Sequence, residues 1–234
     1  MRAVTFDFYE TLIHHRAGVG RSRSYLDYLA AAGLASDPWE HQVHYDVFEY
    51  YAAAYSPALS PAAKKSFWTE FTRRLFERTG VRGPGPADFA RHADAIRDLM
   101  GPSCFAIFDD AFPVLEKLKA SGRRLAVISD WQKGLAYFCE ELGLAPYFEA
   151  IIVSAEVGFQ KPDPRIFEAA RVRLQLPAGE ILHVGDRVED VEGARAAGFA
   201  AALLIRSGEP AMSGLPALAG VPVVKSLSEL LPLV

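Results

Sequence analysis

The chain has 234 residues, half of them hydrophobic, with 25 lysines and arginines against 29 aspartates and glutamates and a formal net charge of −4. That length and composition suit an ordinary globular protein with a sizeable core. The lack of a basic excess argues against a nucleic-acid partner, whose phosphates would need neutralising, and makes a small molecule the expected ligand. The two cysteines, Cys104 and Cys139, have no metal-like spacing and read as reduced and buried. Met1-Arg2 run straight into a strand-like stretch with no room for a signal peptide, and no apolar run approaches the roughly 18 residues that span a bilayer. The expectation is a cytoplasmic protein with no membrane partner.

In chain order the first element is AVTFDF, residues 3 to 8, and it is followed by a long helical interruption. Residues 16 to 100 carry no good strand but four helical patterns, at 24 to 33, 38 to 55, 61 to 80 and 87 to 101, with Pro38, Pro61 and Pro86 where helices start. Strand-like runs then return as RLAVIS (124 to 129), AIIVS (150 to 154), EILHVG (180 to 185), AALLI (201 to 205) and a weaker PVV (222 to 224). These runs are apolar at consecutive positions, as in strands covered on both faces. Helical patterns lie between them at 112 to 122, 135 to 144, 164 to 176 and 190 to 198, several ending at a glycine suited to a left-handed cap: Gly122, Gly143 and Gly198. The alternation predicts an α/β fold with a doubly wound parallel sheet. Residues 1–15 and 101–234 would form the core domain, and 16–100 an inserted domain of four helices.

Ligands of such a sheet collect at the carboxyl ends of its strands. Asp7, Ser129, Lys161 and Asp186 all fall at or just after those ends. An aspartate on an exposed loop can act as a carboxylate nucleophile, a second aspartate offers hard oxygens to a divalent cation, and a lysine and a hydroxyl can stabilise an anion.

In order, FDFYETL, VISDW, GFQKPDPRIF and HVGDRVEDVEGARAAG resemble the four motifs of the haloacid dehalogenase (HAD) superfamily, and the helical insert resembles in place and size its C1-type cap. The resemblance implies a magnesium-dependent hydrolase of small phosphomonoesters. Asp7 would take the phosphoryl group as an aspartyl-phosphate. Asp7, Asp186 and the backbone carbonyl of Tyr9 would bind Mg2+, and Asp190 would hold the metal or its waters. Ser129 would donate to a phosphoryl oxygen, helped by backbone N–H groups around Asp130 and Trp131. Lys161 would keep the nucleophile ionised, and Thr11 would fix the loop and orient Asp7. Arg16, in the basic stretch that leaves the first motif, is a further candidate for an anionic substrate group, with a solvated linker as the alternative.

Tyr9 departs from the phosphatase pattern, which has a second aspartate there as general acid and base. Such catalysis is worth about 10²- to 10⁴-fold, so activity should be reduced or relocated; Glu10, His14 and His15 are possible substitutes. An aspartate followed by an aromatic and then threonine also resembles the metal-independent 2-haloacid dehalogenase branch. Against that branch stand the intact Gly185-Asp186 and a phenylalanine, Phe167, where it has tyrosine. A third reading is a non-catalytic descendant that binds a phosphometabolite or a protein. His183, inside a strand, reads as a satisfied core histidine. His41 and His44, and the aromatics Tyr45, Phe48, Tyr50 and Tyr51, read as packing of the insert. Monomer and homodimer both remain open.

Overall fold

The computed structural model describes residues 1–16, 21–38, 47, 50, 54–56, 58–85, 87–206 and 218–234. In chain order the labelled elements are β1 (Ala3–Phe6), β2 (Ile13–His15), α1 (Arg21–Ala31), α2 (Pro61–Arg78), α3 (Phe89–Met100), β3 (Phe105–Ile107), α4 (Ala111–Ala120) and β4 (Arg124–Ser129). They continue as α5 (Leu135–Glu141), β5 (Ala150–Val153), α6 (Ser154–Val157), α7 (Pro164–Leu174), β6 (Ile181–Gly185), α8 (Val188–Ala196), β7 (Ala200–Leu204) and β8 (Val223–Val224).

Six parallel strands in the order β5-β4-β1-β6-β7-β8 form one sheet. The chain goes from β1 to β4 and β5 on one side, then crosses to β6, β7 and β8 on the other. The carboxyl ends of β4, β1 and β6 therefore lie side by side at the switch point, where this architecture places ligands. β1 and β6 are buried along their whole length, and β4 is buried from Leu125 to Ser129. The consecutive apolar runs thus mark strands covered on both faces. The fold is the Rossmann-like α/β class expected from the alternation.

Contacts divide the described chain into two compact units: residues 1–14, 107–131 and 143–234, and residues 15–106 with 132–142. In the first unit, Gly122, Gly143 and Gly198 follow their helices with φ of 79°, 72° and 81°, the left-handed conformation that ends a helix. The second unit is helical, and Tyr25, Phe71, Leu75, Ile96, Phe105 and Phe138 are fully buried within it. Its longest described helix, α2, starts as its sequence directs, with Pro61 in the first turn and the Ser60 hydroxyl accepting from the Ala63 N–H. Helix α5 groups with this unit, although the strand–helix alternation places it beside the sheet.

The expected helix at 38 to 55 and Pro86 lie largely or wholly outside the described residues. The short strands β2 and β3, which pair in a separate two-stranded sheet, escape a reading based on apolar runs because each has three residues. The strand expected at 150 to 154 stops at Val153, where Ser154 opens a single helical turn closed by Gly158 at φ 80°. Lys161 therefore does not sit at a strand end; α6 stands between it and β5. No described helix is long and apolar enough to cross a membrane, and both cysteines are free and buried.

Candidate active site

Asp7 follows β1 directly, and its N–H donates to the Val184 carbonyl at 2.8 Å, extending the β1–β6 ladder by one residue. That bond fixes the backbone of Asp7 against the end of β6, where Gly185 and Asp186 follow. Ser129 ends β4 on the other side, and Asp130 comes next. Asp7, Tyr9, Glu10, Ser129, Asp130, Trp131, Lys161, Asp186 and Asp190 share the lining of one cavity of about 240 Å³. Nearly all the residues singled out from sequence are thus brought together.

The Lys161 ammonium stands between two carboxylates, 2.7 Å from Asp7 Oδ1 and 2.5 Å from Asp190 Oδ1, with its side chain only 5% exposed. Burial pulls this ammonium down, but the charges of Asp7 and Asp190 more than reverse the effect and hold it well above the ordinary lysine value. Burial likewise works against ionised Asp190, yet Lys161 and the hydrogen bond from His183 keep it below the usual carboxylate range. Asp7 is raised, first by burial and then by the Asp190 charge, with Lys161 opposing. Asp186 is pushed up to about 7 by burial and by the charges of Asp7 and Asp190. One ammonium among three carboxylates leaves negative charge uncompensated.

Oxygen atoms of Asp7, Asp186 and Asp190 lie within 4.8 Å of one another. Asp186 Oδ1 is buried with no hydrogen-bond partner among the described residues. A buried orphan oxygen in a carboxylate cluster is costly unless a positive group completes it. Hard carboxylate donors in excess of local positive charge fit a small divalent cation.

Several expectations change in detail. The Trp131 N–H is taken up by Ser154 Oγ at 3.1 Å, so it does not point to a ligand. The Asp130 carboxylate accepts from the Lys161 main-chain N–H at 3.0 Å, which ties the loop bearing the lysine to the end of β4. Thr11 is fully buried and its hydroxyl has no partner among the described residues, so it does not hold Asp7 through a hydrogen bond; the loop is held instead through the Thr11 carbonyl, which accepts from Arg206 Nη2 at 2.8 Å. Arg16 lies in the helical unit, where its Nε donates to the Phe105 carbonyl. Of the candidate substitutes for an aspartate at position 9, Glu10 lines the cavity with a left-handed φ of 59°. His14 packs against Phe108 with the rings tilted by 39°, and His15 stacks on Phe105.

His183 belongs to the site more closely than its place in a strand suggests. Its Nε2 is 3.2 Å from Asp190 Oδ1 and its Nδ1 2.9 Å from Thr5 Oγ1. Arg206 is a second participant that sequence reasoning missed: its guanidinium binds the Asp110 carboxylate at 2.9 and 3.2 Å and lies over the Phe108 ring. The first could be suspected from an imidazole in an otherwise apolar strand; the second has no local signal.

An α/β core with a carboxylate-rich cavity at the switch point and a lysine on its first aspartate defines a class of hydrolases. Residues 1–198 match the model of the haloacid dehalogenase-like hydrolase family, and the chain belongs to that family. It is 28% identical over 210 residues to haloacid dehalogenase-like hydrolase domain-containing protein 3 of Danio rerio, covering 88% of this chain and 86% of that one. It is 31% identical over 180 residues to the phosphoserine phosphatase of Thermus thermophilus, covering 74% of this chain and 70% of the relative. Among solved structures, a HAD phosphatase from Thermococcus onnurineus superimposes with a TM-score of 0.61 at 21% identity, over 100% of this chain and 97% of the other.

Proposed function

We propose that the protein is a magnesium-dependent hydrolase of small phosphomonoesters, with Asp7 as nucleophile. The observation that carries this reading is the pairing of Asp7 with the Lys161 ammonium at 2.7 Å in a cavity that also gathers Asp186 and Asp190. An Asp7 oxygen forms a bond to phosphorus as the bond to the leaving oxygen breaks, and the departing oxygen takes its electron pair and a proton from solvent water, which the attacking water of the second step gives back. Water then attacks the phosphorus of the aspartyl-phosphate, releasing inorganic phosphate and restoring the carboxylate.

Lys161 favours the ionised nucleophile and offsets charge that builds on the phosphoryl oxygens, and the Ser129 hydroxyl donates to one of them. Asp7, Asp186 and the Tyr9 carbonyl would hold the magnesium ion, with Asp190 behind them. When bound it neutralises charge between nucleophile and substrate. Tyr9 brings no carboxylate for proton transfer, so turnover on generic esters is slow. The helical unit is the proposed source of substrate choice, since the core chemistry is shared across the fold. The phosphatase names carried by relatives support the same substrate class.

The test is phosphate release from a panel of phosphomonoesters, with and without magnesium, comparing wild type with Asp7→Asn. Metal-dependent release that the variant loses is the expected result. Halide release from 2-chloropropionate in the presence of EDTA, without phosphate release, would replace the reading with dehalogenation. Tight binding of a phosphate analogue without turnover of either kind would replace it with a binding role.

A further inference from the structure

We infer that His183 is a positioning residue: its Nε2–H fixes the Asp190 carboxylate in the orientation that seats Lys161 against Asp7. The inference rests on the proposed role of Asp7 as nucleophile, and the residue acts through Asp190, touching neither substrate nor nucleophile.

An imidazole in the middle of a fully buried strand is tolerated only if both ring nitrogens are satisfied. The β1–β6 register sets Thr5 beside His183, and the Thr5 hydroxyl lies 2.9 Å from Nδ1. The other nitrogen faces Asp190 Oδ1 at 3.2 Å. An ionised carboxylate only accepts hydrogen bonds, so a proton sits on Nε2, while Nδ1 is paired with the Thr5 hydroxyl. Phe167 meets the ring edge-on at 5.0 Å and 88°, packing it from the side.

Asp190 is consequently locked from four directions. Oδ1 accepts from His183 and from Lys161, and Oδ2 accepts from the Arg187 N–H at 3.0 Å. On the remaining side stands Gly185, where a Cβ would lie 2.2 Å from Asp190 Cγ. A carboxylate with its oxygens engaged in this way is an anchor for the ammonium. The sequence H-V-G-D-R-V-E-D therefore reads as one device: a histidine to orient, a glycine to make room, and Asp190 at its end to hold Lys161, while Asp186 keeps an uncommitted oxygen.

Two variants separate orientation from packing. His183→Leu keeps the bulk and removes the donor; His183→Gln restores an N–H near the position of Nε2. With p-nitrophenyl phosphate and saturating magnesium, His183→Leu is expected to lower kcat about 10- to 100-fold with little change in KM, and His183→Gln to recover most of it. The readout independent of activity is nitrogen NMR. The wild-type imidazole should show a proton on Nε2, and the Lys161 ammonium should give an exchange-protected signal that is lost in His183→Leu and kept in His183→Gln. An Nε2 without a proton, or a Lys161 signal unchanged in His183→Leu, overturns the inference whatever the activity. Wild type inactive on every ester, with the NMR pattern as expected, overturns the proposed reaction and leaves the positioning role standing.

Discussion

Replacing Gly185 with alanine tests the packing that fixes Asp190. The backbone there is not left-handed, so the added methyl is not strained by conformation; the effect is steric. Its Cβ would stand 2.2 Å from Asp190 Cγ, 2.3 Å from Oδ2 and 2.6 Å from Cβ. Non-bonded carbons need roughly 3.5–4.0 Å, so the carboxylate has to retreat by more than about an ångström. Asp190 is 1% exposed and short, with no flexible end that can yield. His183, Lys161 and the Arg187 N–H occupy its other sides, so the carboxylate can clear the methyl only by turning or shifting out of its present hydrogen bonds with Lys161 and His183. Overpacking alone costs about 1–3 kcal/mol, and stripping one partner from a buried ion pair about 3–5 kcal/mol. The two overlap, because the movement that relieves the clash is the movement that breaks the pair. We therefore expect a loss of about 3–5 kcal/mol from a native stability that for most domains is about 5–15 kcal/mol. Urea denaturation followed by circular dichroism reads it as a lower midpoint. Gly179→Ala is the control, since no atom lies within 4 Å of its added Cβ and its backbone is not left-handed either. If Gly185→Ala and Gly179→Ala unfold at the same urea concentration, the account of Asp190 as a confined anchor is wrong.

Asp186, at about 7, is raised above its ordinary value of 3.8, so the metal-free folded protein binds a proton that the unfolded chain has already released across that interval. Its contribution to stability is present below the ordinary carboxylate range and lost as pH rises through about 7. Magnesium should therefore raise the melting temperature more at about pH 8 than at about pH 5, and an equal rise at both would contradict the carboxylate crowding. Arg206→Leu removes the guanidinium shared by Asp110 and the Thr11 carbonyl and should cost about 1.5–3 kcal/mol. Asp110→Asn in the same chain should not add its full effect; strict additivity in the double-mutant cycle would refute the coupling. Tyr9→Asp should raise turnover on a generic phosphoester, by at most about 10²- to 10⁴-fold. A rate that stays level or falls would place the proton transfer on another group.

The sheet was legible because β1, β4 and β6 are buried on both faces, which writes them as unbroken apolar runs; β2 and β3 are too short to write anything. Residues that converge in the cavity could be picked out where topology alone fixes their place, as with Asp7, Ser129 and Asp186 at adjoining strand ends. What sequence could not supply was the disposition of hydrogen bonds. Nothing in VISDW tells that Ser154, on another element, takes the Trp131 N–H, and nothing near Thr11 announces Arg206, which is 195 positions away. His183 looked like core because an imidazole that satisfies itself and one that orients a neighbour leave the same trace in a strand. Lys161 was found by its motif, yet its route into the cavity depends on the turn α6, whose four residues carry no helical period.

Helix α8 approaches the Lys161 segment so closely that a Cβ on Gly193 would meet the Pro162 carbonyl oxygen at 2.8 Å and Phe167 Cε2 at 2.4 Å. Three residues earlier on the same helix, Asp190 grips the tip of the Lys161 side chain. The lysine is thus held at two places: its main-chain N–H is bonded to Asp130 at the end of β4, and its tip is bonded to Asp190 on α8. The reach of the side chain is then a gauge of the distance between α8 and the end of the sheet, and a displacement of α8 would pull the tip away from a root that stays with β4.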